Sequence, residues 1–205
     1  MLIENITQMK NNYCIRLDYN SRENNIFLDT STRTDEYQDE VYCFAKRVAQ
    51  NNDLNSVADV GCGSGYKLIN HFPDFDSVGY DLPKTIESIK AMYPAKRWLV
   101  SDFSKKAEHS DLVICADVIE HVLNPDELIQ WILSMNPYHV VFSTPNRDAL
   151  CSILKRCPTG PPVNPHHIRE WAFAEFYQYI TKFFNIIYHF RIDEEFCQVI
   201  HCTPK

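Results

Sequence analysis

Apolar and polar positions fall into short alternating blocks along the middle of the chain. Five runs read as strands: SVADV (56–60), SVGYD (77–81), KRWLVSD (96–102), DLVICAD (111–117) and HVVFST (139–144). They are rich in β-branched and aromatic residues, and most close on Asp, Ser or Thr. Between and around them, helical spacing covers Thr34–Asn51, Tyr66–His71, Pro83–Met92, Asn124–Ser134 and Ala172–Phe183. Pro125 suits the first turn of its helix. Strands separated by helix-length segments predict a parallel sheet with crossover helices. After Phe183 the pattern changes. FFNIIYHFRI (183–192) and FCQVIHCT (196–203) are too close for a crossover, so they predict an antiparallel hairpin.

Two segments fall outside this plan. Residues 1–33 form an N-terminal extension with two strand-like runs, YCIRLDY and NNIFLDT, and no secure assignment. Residues 151–166 hold four of the eleven prolines and a glycine. A long irregular connection of this kind is either a surface loop or a substrate loop. The expected organisation is a single domain over 1–205, with 151–170 on the acceptor side.

Composition narrows the function. At 205 residues, with 45% hydrophobic and 23% charged residues, the chain can bury a proper core. A net charge of −7 argues against a broad grip on nucleic acid or anionic membrane. MLIENITQMKNN has no apolar leader region, and no run approaches a membrane span. The eight cysteines show no CxxC spacing, and Cys62, Cys115, Cys197 and Cys202 lie in or beside apolar runs. They read as reduced core thiols of a cytoplasmic protein.

Glycine is scarce. Of five, Gly61, Gly63 and Gly65 fall within VADVGCGSGYKL, between a strand and a helix. Such a turn lets the backbone approach a ligand and presents free N–H groups at a helix start. The spacing is neither that of a P-loop nor GxGxxG. Asp59 precedes the turn. Asp81 ends the next strand, where a carboxylate can take both ribose hydroxyls, and Asp102 ends the third, where one can receive a base amino group. All would share the carboxyl edge of one parallel sheet, where open α/β folds bind ligands.

DVGCGSG, GYD, SDF and ICADVIEHV together resemble the class I S-adenosylmethionine-dependent methyltransferases over roughly residues 35–203. The resemblance implies a Rossmann-like α/β fold: a seven-stranded, mostly parallel sheet with helices on both faces and a C-terminal antiparallel hairpin. It implies S-adenosylmethionine as cofactor. Gly61, Gly63 and Gly65, with Cys62 between them, would line its methionine and ribose. Asp81 and the adjoining Leu82 would meet the ribose, Asp102 the adenine, and Asp117 the region of the sulfonium. Phe103 packs either on adenine or in the core.

The acceptor side centres on DVIEH (117–121). A helical turn starting at Asp117 would put Asp117, Glu120 and His121 on one face. NPHHIREW (164–171) supplies His166 or His167 from the next strand's loop. A hydroxyl acceptor needs a base or a metal, since a bound divalent cation takes water from about 15.7 to roughly 7. Two subfamilies resemble this layout. The small-RNA 3′-terminal 2′-O-methyltransferases carry ExxEH and a His four residues before a Trp, as His167 precedes Trp171. The ubiquinone-pathway O-methyltransferases carry ExxEH and an STPNR-like segment (143–147). Asp117 replaces the first Glu of both.

The resulting candidates are Glu120, His121 and His167 as catalytic groups, and Asp117, Glu120, His121 and His167 as ligands for Mg²⁺, Mn²⁺, Fe²⁺ or Zn²⁺. The alternative is a metal-free histidine base. The expected reaction is O-methylation of a small polar or glycosyl acceptor, including a phosphorylated or nucleotide-linked sugar met by Arg147, Lys155, Arg156 and Arg169. RNA, a quinone, and a silent cofactor-binding subunit stand as alternatives.

Overall fold

The computed structural model describes residues 16, 38–101, 103–153 and 161–205. Asp102, Lys155, Arg156, residues 34–37 and the strand-like runs YCIRLDY (13–19) and NNIFLDT (24–30) lie outside the described residues, Arg16 excepted.

In chain order the elements are α1 (Asp39–Asn51), β1 (Ser56–Val60), α2 (Tyr66–His71), β2 (Asp76–Asp81), α3 (Pro83–Met92), β3 (Arg97–Val100) and β4 (Leu112–Ala116). A short 3₁₀ turn (Ile119–His121), α4 (Pro125–Ser134), β5 (His139–Pro145), α5 (Arg147–Ile153), α6 (Phe173–Ile180), β6 (Phe184–Ile192) and β7 (Cys197–Pro204) follow. The strands form one seven-stranded sheet in the order β3-β2-β1-β4-β5-β7-β6. The first five are parallel, and β7 runs antiparallel to both β5 and β6. The expected α/β architecture and terminal hairpin are therefore present.

Alternation along the central strands sorts the core into two layers. Ala58, Val60, Val113, Cys115, Val140 and Phe142 face α4 and α6, where Leu128, Ile132, Phe176 and Tyr179 cover them. Val57, Leu112, Ile114 and Val141 face α1 and α3, where Val41, Ala45, Ile86 and Ile89 cover them. Cys62, Cys115, Cys197 and Cys202 are buried free thiols, as expected.

Three helix expectations need correction. α6 is shorter than the predicted 172–183. Lys182 and Phe183 leave it in a turn, where their N–H groups bond Tyr179 O and Ile180 O. α4 starts one residue later than predicted. Asn124 is its N-cap, with the side chain accepting from Asp126 N at 3.2 Å. Residues 147–153 form α5, within a stretch partly assigned to an irregular connection; Asn146 Oδ1 accepts from Asp148 N at its start.

Among the described residues no helix is long and apolar enough to cross a membrane.

β5 and β7 bring two histidines into contact, His139 Nδ1 to His201 Nε2 at 2.9 Å, beneath Phe44 and Tyr188. Burial, and then the neighbouring His139, hold His201 down at about 4 instead of 6.5. The unfolded chain protonates this histidine first, so its contribution to stability is intact above pH 6.5 and is lost as pH falls towards about 4. His201→Gln is expected to flatten this acid limb. Melting temperatures of the variant and the parent, recorded from neutral pH downwards, check it.

Candidate functional site

The sheet reverses direction of winding between β1 and β4, and the crevice at their carboxyl ends is where an open α/β sheet binds ligands. The chain leaves β1 through Gly61, Gly63 and Gly65, whose φ angles are 78°, 51° and 72°. These left-handed values favour glycine. Space also demands it. A Cβ on Gly61 would lie 2.2 Å from Val118 Cγ2, and one on Gly65 would lie 2.4 Å from the Trp98 ring. The turn is held by Gly61 N and Cys62 N, which donate to Tyr80 O, and by Gly63 N, which donates to Asp81 Oδ2 at 2.8 Å. Asp81 Oδ1 accepts from Leu82 N at 2.7 Å. Asp81 thus sits at the carboxyl end of β2, positioned by the glycine turn itself.

The other expected cofactor residues divide. Asp59 is fully buried on the α1 side of the sheet, and Tyr42 Oη lies 3.1 Å from each of its carboxylate oxygens. It anchors α1 to β1. Cys62 is buried beneath the turn. Phe103 packs against the Trp131 ring at 5.2 Å. Asp102 lies outside the described residues.

The segment after β4 departs from the expected helical face. Asp117 adopts φ 51°, a left-handed conformation rare for a non-glycine residue, and the regular turn begins only at Ile119. Asp117 therefore does not share a face with Glu120 and His121. Its carboxylate accepts from Ser143 Oγ at 2.9 Å and from Gln38 Nε2 at 2.9 Å.

Glu120, His121 and His167 do come together. One ligand atom from each lies within 4.8 Å of the other two. Glu120 is fully buried; Oε2 accepts from Thr144 Oγ1 at 3.0 Å, and Oε1 has no hydrogen-bond partner. His121 Nε2 stands 3.8 Å from that oxygen. The two imidazoles meet edge to face at 4.7 Å. Burial, and then the Asp117 charge, push the Glu120 carboxyl well above the ordinary range.

Partners at Nδ1 set the tautomers. His121 Nδ1 is 2.7 Å from His166 O, a pure acceptor, so Nδ1 carries the hydrogen. His167 Nδ1 is 2.6 Å from Glu170 Oε1, and its Nε2 is 2.9 Å from Asn164 Nδ2. In the neutral rings both Nε2 atoms therefore hold lone pairs. His166 contributes its carbonyl, and of the two adjacent histidines it is His167 whose ring joins Glu120 and His121. Ile168 N donates to Glu120 O, and Arg16 N donates to Ile168 O, so one residue of the N-terminal extension braces the histidine loop.

Arg147 and Arg169 are buried in the scaffold. Arg147 bonds Glu170 O and pairs with Glu175 at 2.7 Å, and Arg169 bonds Leu123 O at 2.7 Å. Neither is presented to an anionic substrate. Sequence reasoning missed Gln38, Tyr42 and Thr144, whose pairings depend on the tertiary fold, and Asn164 and Glu170, each three residues from His167, which carried a local signal.

A parallel sheet with a glycine turn and an acidic β2 end defines a class of nucleotide-type cofactor enzymes. The matching family model, described as a methyltransferase domain, covers residues 30–191, and the chain belongs to that family. It is a class I S-adenosylmethionine-dependent methyltransferase. No curated protein matches it. The fold is similar to the PH0226 protein from Pyrococcus horikoshii OT3, with TM-score 0.66, 16% identity, and coverage of 88% of this chain and 97% of that one. It is also similar to the methyltransferase domain of a bacterial Hen1, CtHen1-C (0.64, 21%, 83% and 99%). A third similar structure is magnesium protoporphyrin IX methyltransferase from Synechocystis PCC 6803 with SAH bound (0.62, 14%, 82% and 84%).

Gly61→Ala combines a disfavoured φ with overpacking against Val118. It is expected to destabilise the fold by at least about 2 kcal/mol. S-adenosylhomocysteine affinity is expected to fall at least about tenfold, each 1.4 kcal/mol being a factor of ten. Denaturant unfolding and calorimetric titration measure the two effects.

Proposed function

We propose that the chain O-methylates a small polar or glycosyl acceptor bearing vicinal hydroxyls, activated at the Glu120–His121–His167 cluster. The observation that carries this reading is the buried Glu120 Oε1, which has no hydrogen-bond partner and faces two imidazoles. An unmet buried carboxylate oxygen needs a proton, a cation or a ligand hydroxyl.

The glycine turn and Asp81 fit S-adenosylmethionine: Gly61, Gly63 and Gly65 would line it, and Asp81 would hold the ribose hydroxyls. Bound there, the cofactor supplies a methyl carbon activated by positive sulfur. The remaining work is alignment and removal of the acceptor proton. His121 Nε2 carries the lone pair that takes the acceptor hydroxyl's proton, whereas the His167 Nε2 lone pair accepts from Asn164 Nδ2. Glu120 stabilises the resulting imidazolium.

The same donor set fits a divalent cation, with Glu120, His121 and His167 as ligands and Glu170 orienting His167 from outside. A mixed O/N set suits Mg²⁺, Mn²⁺, Fe²⁺ or Zn²⁺. Asp117, committed to Ser143 and Gln38, belongs with the cofactor side in this reading. Because Arg147 and Arg169 are buried, a neutral polar or glycosyl acceptor is favoured over an anionic one. A second reading, 2′-O-methylation at an RNA 3′ end, draws on the likeness to Hen1 domains and on the vicinal hydroxyls of a terminal ribose. The net charge of −7 weighs against it.

Formation of S-adenosylhomocysteine across a panel of glycosides, nucleotide sugars and RNA oligonucleotides tests the proposal. Turnover is expected on a vicinal-diol acceptor, and transfer confined to amine or carbon acceptors would overturn it. Glu120→Gln is expected to lower kcat by at least about 100-fold. The same variant is expected to melt higher than the parent in excess chelator at neutral pH. A carboxyl raised in the folded state binds its proton more tightly there than when unfolded, so its contribution falls as pH rises past the unfolded value. The gain in melting temperature should vanish in acid.

A further inference from the structure

The methyl-transfer site leaves one polar cluster unused. Asp39 and Cys43 lie four residues apart on α1, which places them on one face of that helix. His71, the last residue of α2, approaches the same face. His71 Nε2 is 2.7 Å from Asp39 Oδ1, Cys43 Sγ is 3.5 Å from Asp39 Oδ2, and Cys43 Sγ is 4.0 Å from His71 Nδ1. One ligand atom from each residue lies within 4.8 Å of the other two.

We propose that Asp39, Cys43 and His71 form a second divalent-cation site, of the zinc type, which clamps α1 to α2.

The donor chemistry selects the ion class. One thiolate, one imidazole and one carboxylate suit Zn²⁺ and its spectroscopic substitute Co²⁺, and a sulfur ligand disfavours Mg²⁺ and Ca²⁺. Metal–ligand lengths of about 2.0–2.3 Å around a tetrahedron put ligand atoms roughly 3.3–3.7 Å apart. The Cys43–Asp39 separation already meets this, and the 2.7 Å His71–Asp39 hydrogen bond opens by roughly 0.6 Å or more to admit the ion.

A carboxylate that accepts from Nε2–H lies across the ring from Nδ1 and cannot share an ion bound there, so ligation by all three residues exchanges the His71–Asp39 hydrogen bond for the ion. Binding converts the Cys43 thiol to a metal thiolate and releases its proton to solvent. The Asp39 side chain is 49% exposed, which leaves water free to complete the coordination.

A nucleophilic thiol is the competing reading of a Cys–His–Asp contact chain. Burial, and then Asp39, raise the Cys43 thiol above its ordinary value, which is the opposite of what a reactive cysteine requires. Arg47 and Lys46 act in the opposite direction but more weakly than burial and Asp39.

The clamp joins two elements that reach the cofactor crevice. On α1, Tyr42 contacts Asp59, and Gln38 at its N-terminal end bonds Asp117. α2 begins at the glycine turn.

Stripping the purified chain with chelator and titrating it with Co²⁺ tests the site. The expected result is a sulfur-to-cobalt charge-transfer band in the near ultraviolet, saturating at one equivalent. Cys43→Ser should abolish the band, and His71→Ala and Asp39→Asn should weaken Co²⁺ binding at least about tenfold. Circular dichroism of each variant verifies that it is folded. Glu120→Gln should leave the band unchanged, because the acceptor-side cluster contains no sulfur; failure of that site is thereby separable from failure of this one. A folded parent that gives no thiolate band, or a band that survives in Cys43→Ser, would overturn the proposal.

Discussion

Val118 Cγ2 occupies the space where a side chain on residue 61 would begin, and this contact between the ends of β1 and β4 sets the geometry around it. The two strands are neighbours in the sheet, and their following segments diverge at the point where the strand order reverses. A residue with a Cβ at 61 would force the turn after β1 and the segment after β4 apart. With glycine there, the cofactor turn and the 117–121 segment pack directly on each other. Methyl transfer needs donor and acceptor within bonding reach, and under the proposed function this contact would supply that proximity in the backbone itself.

Beyond Val118, the chain places a carboxylate where its protein surroundings do not fully satisfy it. Thr144 meets one oxygen of Glu120, while the other faces His121 and His167. Burial of this charge is unfavourable for folding, which is why its carboxyl is displaced upwards. Around it, every directional contact is made: His166 O and Glu170 fix the imidazoles, and Ile168 fixes the Glu120 backbone. A rigid shell around one unmet group is the arrangement expected where a ligand completes the set, and it trades stability for function.

The parts of this arrangement visible in the sequence were those governed by local rules. Strand alternation located β1 to β5 within a residue or two, and the density of Gly61, Gly63 and Gly65 marked the left-handed turn after β1. The helix start at Pro125 was readable because proline is restricted there. What escaped was set by contacts across the fold. A face shared by Asp117 and Glu120 assumed helical backbone, whereas Ser143 and Gln38, from other elements, hold Asp117 in a left-handed conformation. The contact of Tyr42 with Asp59 was equally hidden, since it depends on strand alternation turning Asp59 into the α1 layer. Arg147 and Arg169 were read as groups that could meet an anionic substrate, and both are internal struts.

Helix α1 carries the consequence furthest. Its apolar contacts, through Val41, Ala45, Val48 and Ala49, hold it against the sheet but say little about its rotation or its position along its axis. Hydrophobic burial is non-directional, whereas hydrogen bonds and metal ligation are not. Three polar anchors supply the missing direction: Gln38 on Asp117, Tyr42 on Asp59, and Asp39 with Cys43 against His71. The first reaches the end of β4, the second the middle of β1, and the third the helix that follows the glycine turn. A shift of α1 by one residue would break all three together. The left-handed Asp117 at the carboxyl end of β4 therefore depends on how firmly α1 is seated, and the polar face of α1 is as much a part of the proposed site as the strands that carry its named residues.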